Sequence, residues 1–146
     1  MEIKIMPEAI RDIHTIGEKS YPFECCGFLY GIPEKEGINV TQAIEVINDS
    51  EENKRVHYTI PPKEFMKAER YALAQDLQLI GVFHSHPDHP PKPSGRDLAD
   101  ALPELSYFIT SVHQGQAVDT RSWRLTEDRL FMEEQIEINY TNQLSK

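Results

Sequence analysis

Apolar positions recur along this chain at two different periods, and the changes between them mark its elements. Ile3-Lys4-Ile5 alternates and predicts a short strand. Met6-Pro7 then opens a helix to about residue 19, because proline suits the first helical turn and Ile10, Ile13 and Ile16 recur on one face. Gly27–Gly31 reads as a strand, 32–37 as a polar turn, INVTQAIEVIN (38–48) as a second strand and NDSEENKR (48–55) as a charged loop. Pro61-Pro62 announces a second helix to about Gln78, with Phe65, Ala68, Tyr71, Ala72 and Gln75 at three- and four-residue spacing. LIGVF (79–83) follows as a strand, and a short helix is predicted at Ser94. SYFITSV (106–112), RSWRL (121–125) and LFMEEQIEI (130–138) are strands separated by HQGQAVDT and TEDR turn segments. Helices among early strands and a strand-rich end predict the α/β class with mixed α+β layers, a central mixed sheet flanked by helices. At 146 residues, a single domain over 1–146 is expected, of a size that buries roughly two-thirds of its surface.

The LIGVF strand runs into HSHPDHPPKPSGRD, residues 84–97. A period of two points His84 and His86 to the same side of a sheet. Such a pair is common without metal, but Pro87, Pro90, Pro91 and Pro93 stiffen the loop that follows. Ser94 is a helix N-cap candidate, and Asp97 lies one turn on, on the same face. Two imidazoles and one carboxylate suit zinc, and three protein ligands leave the open position of a catalytic site. Hydrolysis there needs a base that does not ligate. Glu24, at a polar-to-apolar junction, is the candidate, although taken alone it reads rather as an ordinary solvated helix-end residue.

These residues resemble the JAMM motif of the MPN-domain metalloproteases, a Glu far upstream of HxHP, six residues, then SxxD. Glu24, His84, His86, Pro87, Ser94 and Asp97 fall in that order and spacing, and Glu24-Cys25-Cys26-Gly27 matches the family's context for the Glu. Residues 56–73 and RSWRL are similar to its strand-to-helix lead-in and late strand, so the likeness covers most of the chain and is closest to the small bacterial single-domain branch. The resemblance implies a cytidine-deaminase-like MPN fold and one Zn2+ per chain, held by His84, His86 and Asp97. It implies Glu24 as general base and then acid, and Ser94 as a hydrogen-bond donor to the oxyanion. It implies a metallopeptidase or isopeptidase cutting after the C-terminal Gly-Gly of a small ubiquitin-like protein of the sulfur-carrier type. The alternative is a catalytically silent MPN-type binding scaffold. A true cytidine deaminase is disfavoured, since HxE with a downstream PCxxC is absent.

Charge and cysteine usage narrow the partners. Fifteen basic against 24 acidic residues, net −9, disfavour a nucleic-acid partner. With neither a long apolar run nor a secretory pattern, no membrane association and a cytoplasmic location are expected. The two cysteines, Cys25 and Cys26, are adjacent and read as small buried hydrophobes; a thiolate nucleophile and zinc ligation are the lesser alternatives. His89 reads as a solvated spacer, and His57 is given still less of a role. His14 and His113 read as surface residues, and Trp123 as sheet packing rather than a substrate platform.

Overall fold

In the computed structural model, which describes residues 2–140, seven strands and three helices follow in the order β1 (Glu2–Ile5), α1 (Pro7–Ser20), β2 (Cys26–Glu34), β3 (Gly37–Val46), α2 (Pro62–Ala74), β4 (Gln78–Pro87), α3 (Gly95–Asp100), β5 (Ser106–His113), β6 (Gln116–Leu125) and β7 (Phe131–Ile138). The class is mixed α/β, as expected. The flanked central sheet is corrected, because the strands close into a barrel in the order β1-β3-β2-β4-β5-β6-β7. Closure comes from β1, which pairs in parallel with β3 on one side and with β7 on the other. Hydrophobic periodicity reports which face of a strand is buried but not which strands are neighbours, so this pairing is not visible in the pattern.

Side-chain alternation sends the strands' two faces to different partners. Phe83 of β4 and Phe108 of β5 join Ile10 and Ile13 of α1 in one cluster, and α1 packs across β3, β4, β5 and β6. Their neighbours Val82 and Tyr107 join Ala68 and Ala72 of α2 in the other. His84 and His86 share the parity of Val82, so they face the α2 side. Gly81 lets β4 and β5 approach closely: a β-carbon there would overlap the Ser106 backbone.

Several element ends differ from the expected ones. The polar turn at 32–37 shrinks to Lys35 and Glu36, because the β2–β3 ladder continues to Glu34↔Gly37 even though its tip is exposed. HQGQAVDT likewise turns only at Gln114 and Gly115, both with positive φ, as a two-residue hairpin requires. The second helix stops at Ala74 rather than Gln78, where Asp76 takes a left-handed φ of 57° and Leu77 N–H donates to the Ala72 carbonyl. β4, in contrast, outlasts LIGVF and carries His84, Ser85 and His86 within the strand. No helix among the described residues is long and apolar enough to cross a membrane.

Candidate active site

β4 pairs in parallel with β5 through His84↔Ile109 and His86↔Ser111, and His84 is paired also with Cys26 of β2, so His84 is held from both sides and His86 from the β5 side. The proline-rich loop then returns the chain to α3, whose N-cap is Ser94. Its hydroxyl accepts from Asp97 N–H at 3.1 Å, and the Asp97 carboxylate accepts from Ser94 N–H at 2.8 Å, a reciprocal capping box. The cap therefore aims the carboxylate as well as starting the helix. Asp97 Oδ1 lies 3.2 Å from His84 Nε2, and Oδ2 lies 3.1 Å from His86 Nε2. The two Nε2 atoms are 3.2 Å apart.

The donor set fits a cation such as zinc. His86 Nδ1 lies 2.8 Å from the Pro90 carbonyl, which can only accept, so Nδ1 carries a proton and Nε2, directed at Asp97, is the nitrogen left to meet a cation. His84 is fully buried, and its Nδ1 has no hydrogen-bond partner, so the cost of burying that ring is offset only by what meets Nε2. One atom from each of the three residues lies within 4.8 Å of the others, the only such group among the described residues. Burial of Asp97 works against its charge, but His84 and the hydrogen bonds from His84, His86 and Ser94 outweigh it and hold the carboxyl far below its usual range. Tyr58 covers His84 as a stacked ring, with centroids 4.4 Å apart.

Glu24 lies between α1 and β2, and its placement depends on contacts far away in sequence. Cys26 pairs with His84, while Ser85 N–H donates to the Cys25 carbonyl and Ser85 Oγ accepts from Cys25 N–H. These bonds fix the chain just after Glu24 to the strand carrying the histidines. The segment 48–59 holds Glu24 from its other side: Glu24 N–H donates to the Lys54 carbonyl, and Asn48 Nδ2 donates to the carbonyls of both Glu24 and His57. Glu24 is 6% exposed rather than solvated. Burial, opposed by the charge of His86 and aided by that of Asp97, raises its carboxyl to about 8.

Glu24, His86 and Ser94 line one cavity of about 290 Å³, together with Val56, His89 and Lys92. Ser94 Oγ uses a lone pair to accept from Asp97 and keeps its own proton to donate. The five expected site residues thus stand together. Exposed His89 lies on the rim of this cavity. Cys25 and Cys26 are free and buried, as expected; burial pushes the Cys25 thiol up to about 11 and the Cys26 thiol higher still. His113 is exposed, whereas His14 differs from the surface position expected of it. His14 is half-buried, with Nε2 2.9 Å from Thr120 Oγ1, and His57 is buried, with Nδ1 2.9 Å from Ser50 Oγ. Asn48 and Tyr58 escaped sequence reasoning, because an Asn at a loop edge and a Tyr before a proline pair carry no periodic signal.

Comparison with known proteins places the chain in a family. The family described as prokaryotic homologs of the JAB domain matches residues 6–126. A protein named desampylase from Pyrococcus furiosus is 40% identical over 75 residues, 51% of this chain and 49% of that protein. Another desampylase, from Haloferax volcanii, is 34% identical over 91 residues, 62% of this chain and 63% of its own length. The matched region thus spans about half to two-thirds of these curated relatives. A solution structure of a Salinibacter ruber protein is 34% identical with a TM-score of 0.74, and one from Desulfitobacterium hafniense is 25% identical with a TM-score of 0.81; each alignment covers 94% of this chain and 92% of the other. The chain belongs to the prokaryotic JAB-domain family, within the JAMM/MPN proteins that its motif resembles.

Proposed function

We propose that this chain is a zinc-dependent metallopeptidase that hydrolyses the amide or isopeptide bond following the C-terminal Gly-Gly of a small ubiquitin-like protein. The observation carrying this reading is the convergence of His84, His86 and Asp97 beside a buried Glu24 and the free hydroxyl proton of Ser94. The name desampylase, borne by both curated relatives, supports it. His84, His86 and Asp97 hold the zinc, which supplies a Lewis acid that polarises a carbonyl and acidifies water. Glu24 takes a proton from the attacking water and returns it to the leaving amine. Burial raises its carboxyl in the metal-free fold, which favours taking up a proton. Ser94 donates its hydroxyl proton to the oxyanion, fixed in advance by its cap bond to Asp97.

The complete set of ligands, base and donor favours catalysis over a silent binding scaffold. Because Glu24 protonates the leaving amine, the leaving group lies in the cavity that Glu24 lines, and the glycine tail enters through a second cavity. That cavity shares Ser94 and Val56 with the first and is lined also by Glu52, His57 and Arg96. A tail without side chains offers little to grip, so affinity has to come from the folded body of the partner. Fusions carrying Gly-Gly before the scissile bond, followed by intact mass, are expected to be cut, and matched Ala-Ala fusions and short unstructured peptides to be cut poorly. Equal rates on all three would refute the assigned specificity; no cleavage by zinc-loaded protein of any fusion in a panel of small ubiquitin-like partners would favour the scaffold.

The buried thiols take no part in this chemistry. Replacing both Cys25 and Cys26 by Ala is expected to leave turnover measurable and to lower thermal stability through lost packing. Loss of all turnover in a variant that is folded and zinc-loaded would restore a thiol mechanism.

A further inference from the structure

Three consecutive carbonyls of the proline loop each accept from a different side chain. The His89 carbonyl accepts from Ser111 Oγ at 2.7 Å, that of Pro90 from His86 Nδ1 at 2.8 Å, and that of Pro91 from Trp123 Nε1 at 3.0 Å. Pro90 and Pro91 have no N–H with which to anchor themselves, so these external donors determine how the loop sits. Lys92 N–H also reaches the Pro90 carbonyl, but from within the loop, and ties it to no other element. Ser111 stands opposite His86 in the β4–β5 ladder, and Trp123 lies on β6, so the loop is fastened to two strands beyond the one bearing the histidines. Ser111 is buried, and Trp123 is half-buried.

We propose that Ser111 and Trp123 are positioning residues for the metal site, acting through the Pro90 carbonyl on His86. The two bonds flank that carbonyl on either side and fix its direction. The carbonyl in turn holds a proton on His86 Nδ1, so that Nε2, directed at Asp97 and His84, is the nitrogen available to a cation. Without the flanking bonds the carbonyl can rotate, and the imidazole gains a second tautomer and further ring orientations that do not present Nε2. This proposal rests on the zinc reading above. It also gives the sole tryptophan of the chain a role apart from packing, since its N–H holds the loop.

Zinc affinity, measured by competition with a chromophoric chelator, separates the two roles of each residue. Trp123→Phe keeps a ring and removes the donor; Ser111→Ala removes the hydroxyl, and Ser111→Thr restores it. The combined Ser111→Ala/Trp123→Phe variant is expected to bind zinc roughly tenfold more weakly or worse, with Ser111→Thr close to wild type. Nitrogen-15 spectra of the zinc-loaded protein are expected to show His86 with Nδ1 protonated and Nε2 metal-bound in the wild type and a mixture of bound nitrogens in the combined variant. A folded combined variant that matches wild-type affinity, whatever its loss of thermal stability, would assign both residues to packing alone and overturn the proposal. A wild-type protein that takes up no zinc would instead overturn the functional reading, and this proposal with it.

Discussion

Glu24→Gln is expected to retain zinc and fold while losing about 10²–10⁴-fold in turnover, the range associated with removing one positioned acid-base group. The side chain keeps its shape and position, because its backbone is held by Lys54 and Asn48 and the following residue by Ser85. Only the ability to accept and return a proton is removed. The same substitution should stabilise the metal-free protein. Burial raises the Glu24 carboxyl from 4.5 to about 8, so between those values the folded chain holds a proton that the unfolded chain has released. Stability of the metal-free fold therefore falls as pH rises through this window, and an untitratable Gln escapes that loss. At pH 8 the variant's advantage should be on the order of 2–4 kcal/mol, vanishing below about pH 4.5. Thermal melts of chelated protein at pH 5 and pH 8, set beside turnover and metal content, check both halves. Stoichiometric loss of zinc from Glu24→Gln would make Glu24 a ligand rather than the base.

Asp97→Ala is expected to abolish zinc retention and with it all turnover. It removes the single anionic ligand, and it also removes the acceptor that Ser94 N–H uses at the start of α3. The second loss alone costs about 0.5–2 kcal/mol, as helix caps do, and leaves the chain folded. Asp97→Asn separates the effects: an amide oxygen can still accept from Ser94 N–H, but it brings no charge to the histidines. The Asn variant should melt close to wild type in its metal-free state and still bind zinc far more weakly. Plasma emission analysis after dialysis gives the metal content, and full zinc with full activity in Asp97→Ala would remove it from the ligand set.

The candidate ligand set and its neighbour Ser94 were legible because His84, His86, Ser94 and Asp97 lie within fourteen residues, where strand parity and one helical turn decide which side chains meet. Glu24 was legible only through the motif. Its own neighbourhood allows a solvated helix end, and its burial comes from Asn48, Lys54 and Ser85, none of them close in sequence. The strands after residue 100 were found but partly truncated, since polar hairpin tips such as 113–120 look like loops until their partners are known. Barrel closure was invisible for the same reason, as it depends on Ile3 meeting Ile136 from the far end of the chain. Trp123 stands half-buried on β6, and its N–H reaches the Pro91 carbonyl, a contact that no local pattern encodes.

The most direct test of this account is a crystal structure of zinc-loaded protein with anomalous diffraction collected on both sides of the zinc absorption edge. One peak per chain is predicted, about 2.0–2.2 Å from Nε2 of His84, Nε2 of His86 and a carboxylate oxygen of Asp97. The Glu24 carboxylate should stand beside it without coordinating. A peak coordinated by Glu24 or by either cysteine, or no peak between His84, His86 and Asp97 in active protein, would contradict it.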